Sequence, residues 1–382
     1  MKRKIKMGMV GGGPGAFIGS VHRMAARLDG KIDLVCGAFS SDRAKSLVTA
    51  AELFLPESRC YWNYQDMIEF ERKLPVGERM DCVSIVTPNI THYDIALKAL
   101  DNGFHVICEK PMTFTLEQAR KLAEKVQETG TIFALTHNYT GYPMVKQARA
   151  MIKAGTLGEI RKIVAEYPQG WLGDAIEGAS KQAEWRVDPA RAGISCCMGD
   201  IGSHVENLTE YITGLKITEL CADLTTFVPG HTLDDDGNVL VRFDNGARGV
   251  LYASQMSTGE ENGLSIRVYG TKGAVEWHQE SPETLVVKYN NKPMQVLRRN
   301  WAGIGAEAAA ASRIPAGHPE GFIEAFANIY SQFADAVAGR LEGDKDFAPD
   351  FPTAEDGLRG MAFIDAVVKS SRSDQKWLNF EV

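Results

Sequence analysis

The sequence predicts an α/β protein in two parts: an N-terminal Rossmann-type, doubly wound parallel sheet, then an α/β domain with a large open antiparallel sheet. Three observations carry this. Up to about residue 138, short apolar runs alternate with stretches whose apolar residues recur at three- and four-residue spacing, the pattern of βαβ units. A glycine-rich turn, Gly11-Gly12-Gly13-Pro14-Gly15-Ala16-Phe17-Ile18-Gly19, follows the first apolar run. Beyond about residue 160 the period shortens to two and β-branched residues dominate, as a sheet with one solvated face requires.

Taken in order, the strands of the first part are Ile5 to Val10, Ile32 to Ala38, Cys82 to Thr87, His105 to Glu109 and Ile132 to His137. Helical stretches such as Tyr93 to Asn102 and Leu116 to Thr129 lie between them, and Thr115 with Gln118 forms a capping box before the latter. The second part offers Ile160 to Glu166, Thr218 to Phe227, Asn238 to Phe243, Arg248 to Ser254, Leu264 to Tyr269, Ala274 to Trp277 and Thr284 to Tyr289 as strands, with a tight hairpin turn at Asp244-Asn245-Gly246. Two amphipathic helices, Gly321 to Val337 and Thr353 to Lys369, follow, separated by a charged connection from Gly339 to Asp350. No internal repeat is evident.

The chain has 382 residues, 44% of them hydrophobic and 24% charged, with a net charge of -7. No apolar run is long enough to span a membrane, and the basic start Met1-Lys2-Arg3-Lys4 leads straight into the first strand without a signal-peptide core. The expectation is a cytoplasmic protein with no membrane partner. A negative charge without a basic stripe argues against nucleic acid. Seven cysteines show no metal-ligand spacing, and Cys36, Cys82 and Cys108 sit inside apolar strands, so neither a metal nor disulfides are expected.

Glu109-Lys110-Pro111 stands where a strand runs out, at the edge where open parallel sheets bind ligands. A lysine there can set its ammonium beside a nucleotide and a substrate hydroxyl, and the proline stiffens the turn; the plain alternative is a solvated lysine. Farther on, Asp200 and His204 in Asp200-Ile201-Gly202-Ser203-His204 are four apart, which on an α-helix puts them on one face about 6 Å apart. A carboxylate one turn from an imidazole can hold the ring and raise its pKa toward working pH, and Gly199 and Gly202 would admit another backbone. A cap plus a core histidine is the plain alternative. No third ligand at metal spacing accompanies the pair.

Together these segments resemble the glucose-fructose oxidoreductase / inositol dehydrogenase (Gfo/Idh/MocA) family of nicotinamide-dependent sugar and polyol oxidoreductases, over nearly the whole chain to Asp356-Gly357-Leu358-Arg359. The resemblance implies a Rossmann domain over 1–138 and a substrate-binding and oligomerisation domain over 139–382. The closing helix 353–372 is a candidate to pack back on the first domain. It implies a small carbohydrate or cyclitol substrate and a homodimer or homotetramer.

Cofactor contacts are expected from Gly11, Gly13, Pro14, Gly15, Ala16, Phe17 and Ile18. Gly11-x-Gly13-x-x-Ala16 satisfies the loose dinucleotide pattern, while Ile18-Gly19-Ser20-Val21-His22 better matches the family's ending, with about three extra residues in the loop. The acid that accepts the adenosine ribose in NAD enzymes is missing from Ala38-Phe39-Ser40-Ser41-Asp42-Arg43. Ser40, Ser41 and Arg43 could accept a 2′-phosphate, and Asp42 could repel one or cap the next helix; the resemblance favours NAD and leaves NADP open. Thr87, Pro88 and Asn89, with His92, resemble the segment beside the nicotinamide ribose, or else form a helix entry capped by Asn89 or Thr91. Glu109 pairs with the ribose or with Lys110, or is an ordinary charge pair. Trp185 and Arg186 resemble a pair that closes over the nicotinamide, against a core tryptophan and an Arg186–Asp188 bridge. Tyr139 and His318 are further substrate candidates, although His318 could instead cap Gly321.

In the implied chemistry His204 takes the hydroxyl proton, Lys110 stabilises the developing oxyanion, Asp200 orients His204 and binds a neighbouring hydroxyl, and hydride passes to the cofactor. Two competing readings remain open here. One is a glycosidase that oxidises its sugar transiently, with Tyr139 or Glu184 serving the elimination. The other is a non-catalytic Rossmann sensor, a class that usually lacks the lysine or the histidine.

Overall fold

Contacts divide the chain into two units, Met1–Asn138 with Phe326–Leu358, and Tyr139–Ala325 with Arg359–Val382. The segment 326–358 joins the first unit, so two of the boundaries lie inside the late helices. The computed structural model describes residues 3–176, 181–344 and 348–382. The first two residues of the expected basic start, and 345–347 in the expected charged connection, lie outside that description.

In the first unit the elements run β1 (Ile5–Gly11), α1 (Phe17–Leu28), β2 (Ile32–Ala38), α2 (Arg43–Glu52), α3 (Tyr64–Glu71), β3 (Cys82–Val86), α4 (His92–Asp101), β4 (His105–Cys108), α5 (Leu116–Thr129) and β5 (Phe133–Leu135). All five strands are parallel, in the order β2-β1-β3-β4-β5. Every residue of β3 and β4 is buried, because a parallel sheet carries helices on both faces. The order reverses at β1, so the crevice at the carboxyl ends of β1 and β3 is the switch point where such sheets take ligands. The capping box of Thr115 and Gln118 forms at the start of α5.

The second unit continues with α6 (Pro143–Lys153), β6 (Ile160–Pro168), α7 (Lys181–Arg186), α8 (Pro189–Ala192), α9 (Ser203–Thr213), β7 (Ile217–Thr225), β8 (Asp236–Phe243), β9 (Arg248–Ser254), β10 (Ser265–Gly270), β11 (Gly273–His278), β12 (Thr284–Tyr289), β13 (Gln295–Arg298) and α10 (Ala306–Ala310). α11 (Phe322–Leu341) and α12 (Ala354–Ser371) carry the unit boundaries, and β14 (Leu378–Asn379) closes the chain. Nine strands form one sheet in the order β13-β12-β11-β10-β6-β9-β8-β7-β14. β8 alternates buried and exposed residues along most of its length, as a half-solvated sheet requires. The expected seven strands are all present, with Gly246 at φ +88° in the turn between β8 and β9. Two features differ from expectation. Short edge strands β13 and β14 extend the sheet, and its central pair, β6 and β9, is parallel. Among the described residues no helix is long and apolar enough to cross a membrane.

Candidate active site

The glycine turn leaves β1 at the switch point. Gly11 adopts φ +88°, and a Cβ there would lie 2.7 Å from the Val86 carbonyl oxygen at the end of β3, so this position needs glycine on both counts. The close approach of helix to strand is made by Gly19, whose Cβ would meet the Gly12 Cα at 2.4 Å. Ala16, the third member of the loose pattern, is instead the residue before α1. That helix opens without a side-chain cap and without an acidic residue in its first turn, so its amide N–H groups and dipole suit a pyrophosphate. Arg23, missed by sequence reasoning, donates to the Gly12 carbonyl at 2.9 Å. It helps line a cavity of about 380 Å³ with Gly13, Pro14, Gly15, Phe17, Ser20, Thr49 and Glu52.

At the end of β2 the plain reading of Asp42 holds: its carboxylate accepts from the Ala44 and Lys45 N–H groups and caps α2. Ser40 Oγ accepts from the Asp42 N–H at 3.1 Å. Arg43, a candidate for a 2′-phosphate, is drawn elsewhere. Its guanidinium donates to the Cys60 carbonyl, lies 5.1 Å from the centre of the Trp62 ring and comes within 3.8 Å of Glu57.

Lys110 follows β4 at the same edge as the glycine turn, and its bond to Pro111 is cis. Two buried side chains brace this turn. His92 is fully buried, with Nε2 2.8 Å from the Thr87 carbonyl and Nδ1 2.9 Å from the Pro111 carbonyl. Both ring nitrogens face backbone carbonyls, one of which accepts from the single N–H of the neutral ring, so His92 sits between the strand-end loop at 87 and the lysine turn, against the expectation of a cofactor contact. Burial holds its pKa below the usual value although both carbonyls pull the other way. Glu109 was expected at the cofactor ribose or on the Lys110 ammonium. Its Oε1 instead accepts from His22 Nε2 at 2.7 Å and from the Thr136 hydroxyl at 2.6 Å, while Oε2 accepts from the Lys110 backbone N–H at 3.2 Å. Burial works to raise the Glu109 pKa, but His22, Lys110 and Thr136 outweigh it and keep the carboxyl below its ordinary value. Next to this turn, burial and then the Lys110 charge hold the His137 imidazole down to about 3. Asn89 is buried in the short helical turn Asn89–Thr91 that precedes α4, and Thr91 donates to the Thr87 hydroxyl at 2.8 Å.

In the second unit, Asp200 sits in a π-turn, Met198–Gly202, that runs directly into α9. Such turns close through i→i+5 bonds, so the α-helical spacing assumed for Asp200 and His204 does not describe this step. The turn is anchored from β8's start: Asp234 accepts from Ser195 Oγ at 2.9 Å, the Cys196 N–H at 3.1 Å and the Met198 N–H at 2.9 Å. Gly202 faces the Met198 side chain, and the nearest neighbour of Gly199 is Ser195, so neither glycine receives another backbone. Asp200 Oδ2, expected to hold His204, accepts from Arg186 Nε and Gln255 Nε2, each at 2.9 Å. Arg186 thus pairs with Asp200 and not Asp188, which caps α8, and it stacks 4.3 Å from the Trp185 ring and 5.8 Å from Trp171.

His204 is buried, its ring edge-on to Tyr139 at 4.8 Å and to Tyr167 at 6.2 Å. The Tyr167 hydroxyl donates to Asn262 Oδ1 at 2.6 Å, Asn262 Nδ2 donates to the Tyr139 oxygen at 3.4 Å, and the Tyr139 hydroxyl therefore donates to Tyr167 at 2.5 Å. Gln169 Nε2 also donates to Asn262 Oδ1, and Trp171 Nε1 donates to Gln169. Burial pushes the Tyr167 phenol well above its ordinary pKa. Tyr167, Gln169, Trp171, Gln255 and Asn262 were not singled out in the sequence. Gln169 and Gln255 stand just past the ends of β6 and β9, a position shared by many residues without function, and the other three carry no such signal. Two candidates stand apart: Glu184 is exposed and reaches Arg191 at 3.6 Å, and His318 is exposed with Nδ1 3.3 Å from the Pro315 carbonyl.

Residues 5–149 match an oxidoreductase family with an NAD-binding Rossmann fold, and residues 145–276 match the GFO/IDH/MocA C-terminal domain. The uncharacterized oxidoreductase YfiI of Bacillus subtilis is 35% identical over 387 residues, covering 100% of this chain and 98% of the relative. An oxidoreductase from Sinorhizobium meliloti superposes with a TM-score of 0.89 at 45% identity, over 99% of this chain and 100% of that one. An inositol dehydrogenase homolog from Azotobacter vinelandii in complex with NAD+ gives a TM-score of 0.96 at 35% identity, over 100% and 98%. The same homolog has also been crystallised with NADH and myo-inositol, giving 0.93 at 34% over the same shares.

Proposed function

Because the chain belongs to the Gfo/Idh/MocA family of oxidoreductases with an NAD-binding Rossmann fold, we propose that it oxidises a secondary alcohol of a sugar or cyclitol with NAD. The observation that carries this reading is the Lys110 turn, braced by buried side chains at the same sheet edge as the glycine turn. The glycine turn and the uncapped start of α1 hold the pyrophosphate. NAD, when bound, accepts the hydride. His204 takes the alcohol proton, Lys110 stabilises the oxygen as charge develops on it, and Asp200, fixed by Arg186 and Gln255, receives a neighbouring hydroxyl. Because Arg186 balances the Asp200 charge, the second unit's residues favour an uncharged polyol. The inositol complex of the homolog makes myo-inositol the first substrate to try.

The test is NADH absorbance across myo-inositol, glucose and methyl glucosides, with product analysis. NADH is expected to accumulate in proportion to substrate consumed. Cleavage of a glycoside at substoichiometric NAD, with solvent deuterium entering beside the oxidised carbon, would replace net oxidation by a transient-oxidation glycosidase.

A further inference from the structure

A chain of polar side chains runs through the interior of the first unit and ends under Lys110. Ser84 Oγ lies 2.9 Å from the Tyr330 hydroxyl, which lies 2.7 Å from His22 Nδ1, and His22 Nε2 lies 2.7 Å from Glu109 Oε1. The members come from β3, α11, α1 and the end of β4. His22 and Ser84 are fully buried, Tyr330 is 1% exposed and Glu109 8%. A carboxylate taken out of water costs several kcal/mol unless donors surround it. Here it receives them: the frame is satisfied when Ser84 donates to Tyr330, Tyr330 donates to Nδ1, and Nε2–H donates to Glu109.

The histidine sits edge-on to Phe326 at 5.1 Å and to Tyr330 at 5.7 Å, aromatic surroundings that give a polar ring no packing advantage over an apolar side chain of similar volume. Nor does the chain lead a proton out, since its far end, Ser84, is buried in a central strand. What the arrangement does accomplish is at its near end. Glu109 Oε2 accepts from the Lys110 backbone N–H, fixing the peptide from which the lysine side chain departs.

We propose that His22 is a positioning residue: with Tyr330 behind it, it locks the Glu109 carboxylate in the one orientation that aims Lys110. The inference rests on the reading of Lys110 as the catalytic lysine. A shift of about 1 Å in a reacting group costs up to about 10²-fold in rate.

The experiment compares His22→Leu, His22→Gln and Tyr330→Phe as NAD-loaded protein. Turnover is measured with myo-inositol, NAD affinity by fluorescence titration, and the lysine environment by NMR of ¹³C-dimethylated lysines. The Lys110 signal is assigned by its loss in Lys110→Arg. His22→Leu is expected to lower kcat by about 10- to 100-fold with KM and NAD affinity within about threefold. It should also move the Lys110 signal and no other. Gln, which can both accept from Tyr330 and donate to Glu109, should restore most of both, and Tyr330→Phe should move the signal by a smaller amount. A Lys110 signal unchanged in His22→Leu and Tyr330→Phe overturns the proposal, and so does a kcat loss matched by an equal loss of NAD affinity. Should His22→Leu not fold, Tyr330→Phe and His22→Gln decide it by the same signal. Normal turnover in Lys110→Ala would instead strike the functional reading, whatever the His22 variants do.

Discussion

The two units hold the side chains proposed for the reaction by different means. Lys110 stands on a turn clamped by buried titratable groups, Glu109 with His22 on one side and His92 on the other. Asp200 and His204 are held by an amide, a guanidinium and aromatic edges. Charge buried at the end of a parallel strand gives a rigid mount but makes it sensitive to proton uptake. Donors that do not titrate near neutrality, an amide and a guanidinium, tolerate pH but leave the carboxylate dependent on each donor. The first arrangement should therefore fail through stability and kcat, the second through substrate binding.

The broadest test of this contrast removes the reactive groups themselves. Lys110→Ala and His204→Ala are each expected to lower turnover by about 10²-fold or more while NAD affinity stays within a few-fold. Steady-state kinetics beside fluorescence titration of NAD measures both, and near-normal turnover in either variant removes that residue from the reaction. Acid should next separate the units. Burial holds His105 down to about 4, whereas in the unfolded chain it protonates near its ordinary value of 6.5. The unfolded state thus binds a proton that the folded state refuses, and stability falls as pH drops from about 6.5 to about 4. This one residue accounts for about 3 kcal/mol over that window. His105→Gln, still able to accept from the Ile132 N–H, should flatten that limb in urea titrations at pH 7 and pH 4; an unchanged limb would show that His105 titrates normally in the fold.

A smaller effect is expected in the second unit. Gln255→Leu removes the amide donor to Asp200 Oδ2 and should raise the KM for substrate about tenfold, about 1.4 kcal/mol, with kcat changed less; a pure kcat effect would place Asp200 in the chemistry rather than in binding. The smallest concerns the adenosine end. With Arg43 drawn to Cys60, Trp62 and Glu57, NAD should bind several-fold more tightly than NADP, and Glu57→Gln should narrow the gap, as titration of both nucleotides will show.

What could be read from the sequence follows the same divide. The glycine turn and Glu109-Lys110-Pro111 were legible as strand-end segments because local pattern reveals where a strand runs out. The bracing was not. Glu109 lies 87 residues from His22, and Tyr330 lies 308 from it, so only folding brings the donors together. In the second unit Asp200 and His204 stood out by spacing, yet the π-turn did not, because Asp234, 36 residues after Met198, selects it through three backbone and side-chain donors. Gln255 and Asn262 carry no local mark, being 55 and 95 residues from the partners that give them meaning. The short edge strands escaped for another reason: two and four residues are too few to show a period.

The loop of hydrogen bonds through Tyr139, Tyr167 and Asn262 has a directional sense. Each member hands one hydrogen forward and receives one from behind, so the circuit is complete and none of the three has a hydrogen-bond vacancy within it. Both phenols in the circuit already carry their protons, and burial keeps that of Tyr167 in place, so neither accepts a substrate proton unless it first gives up its own. On the proposed reading, the aromatic wall beside His204 leaves proton exchange to the imidazole.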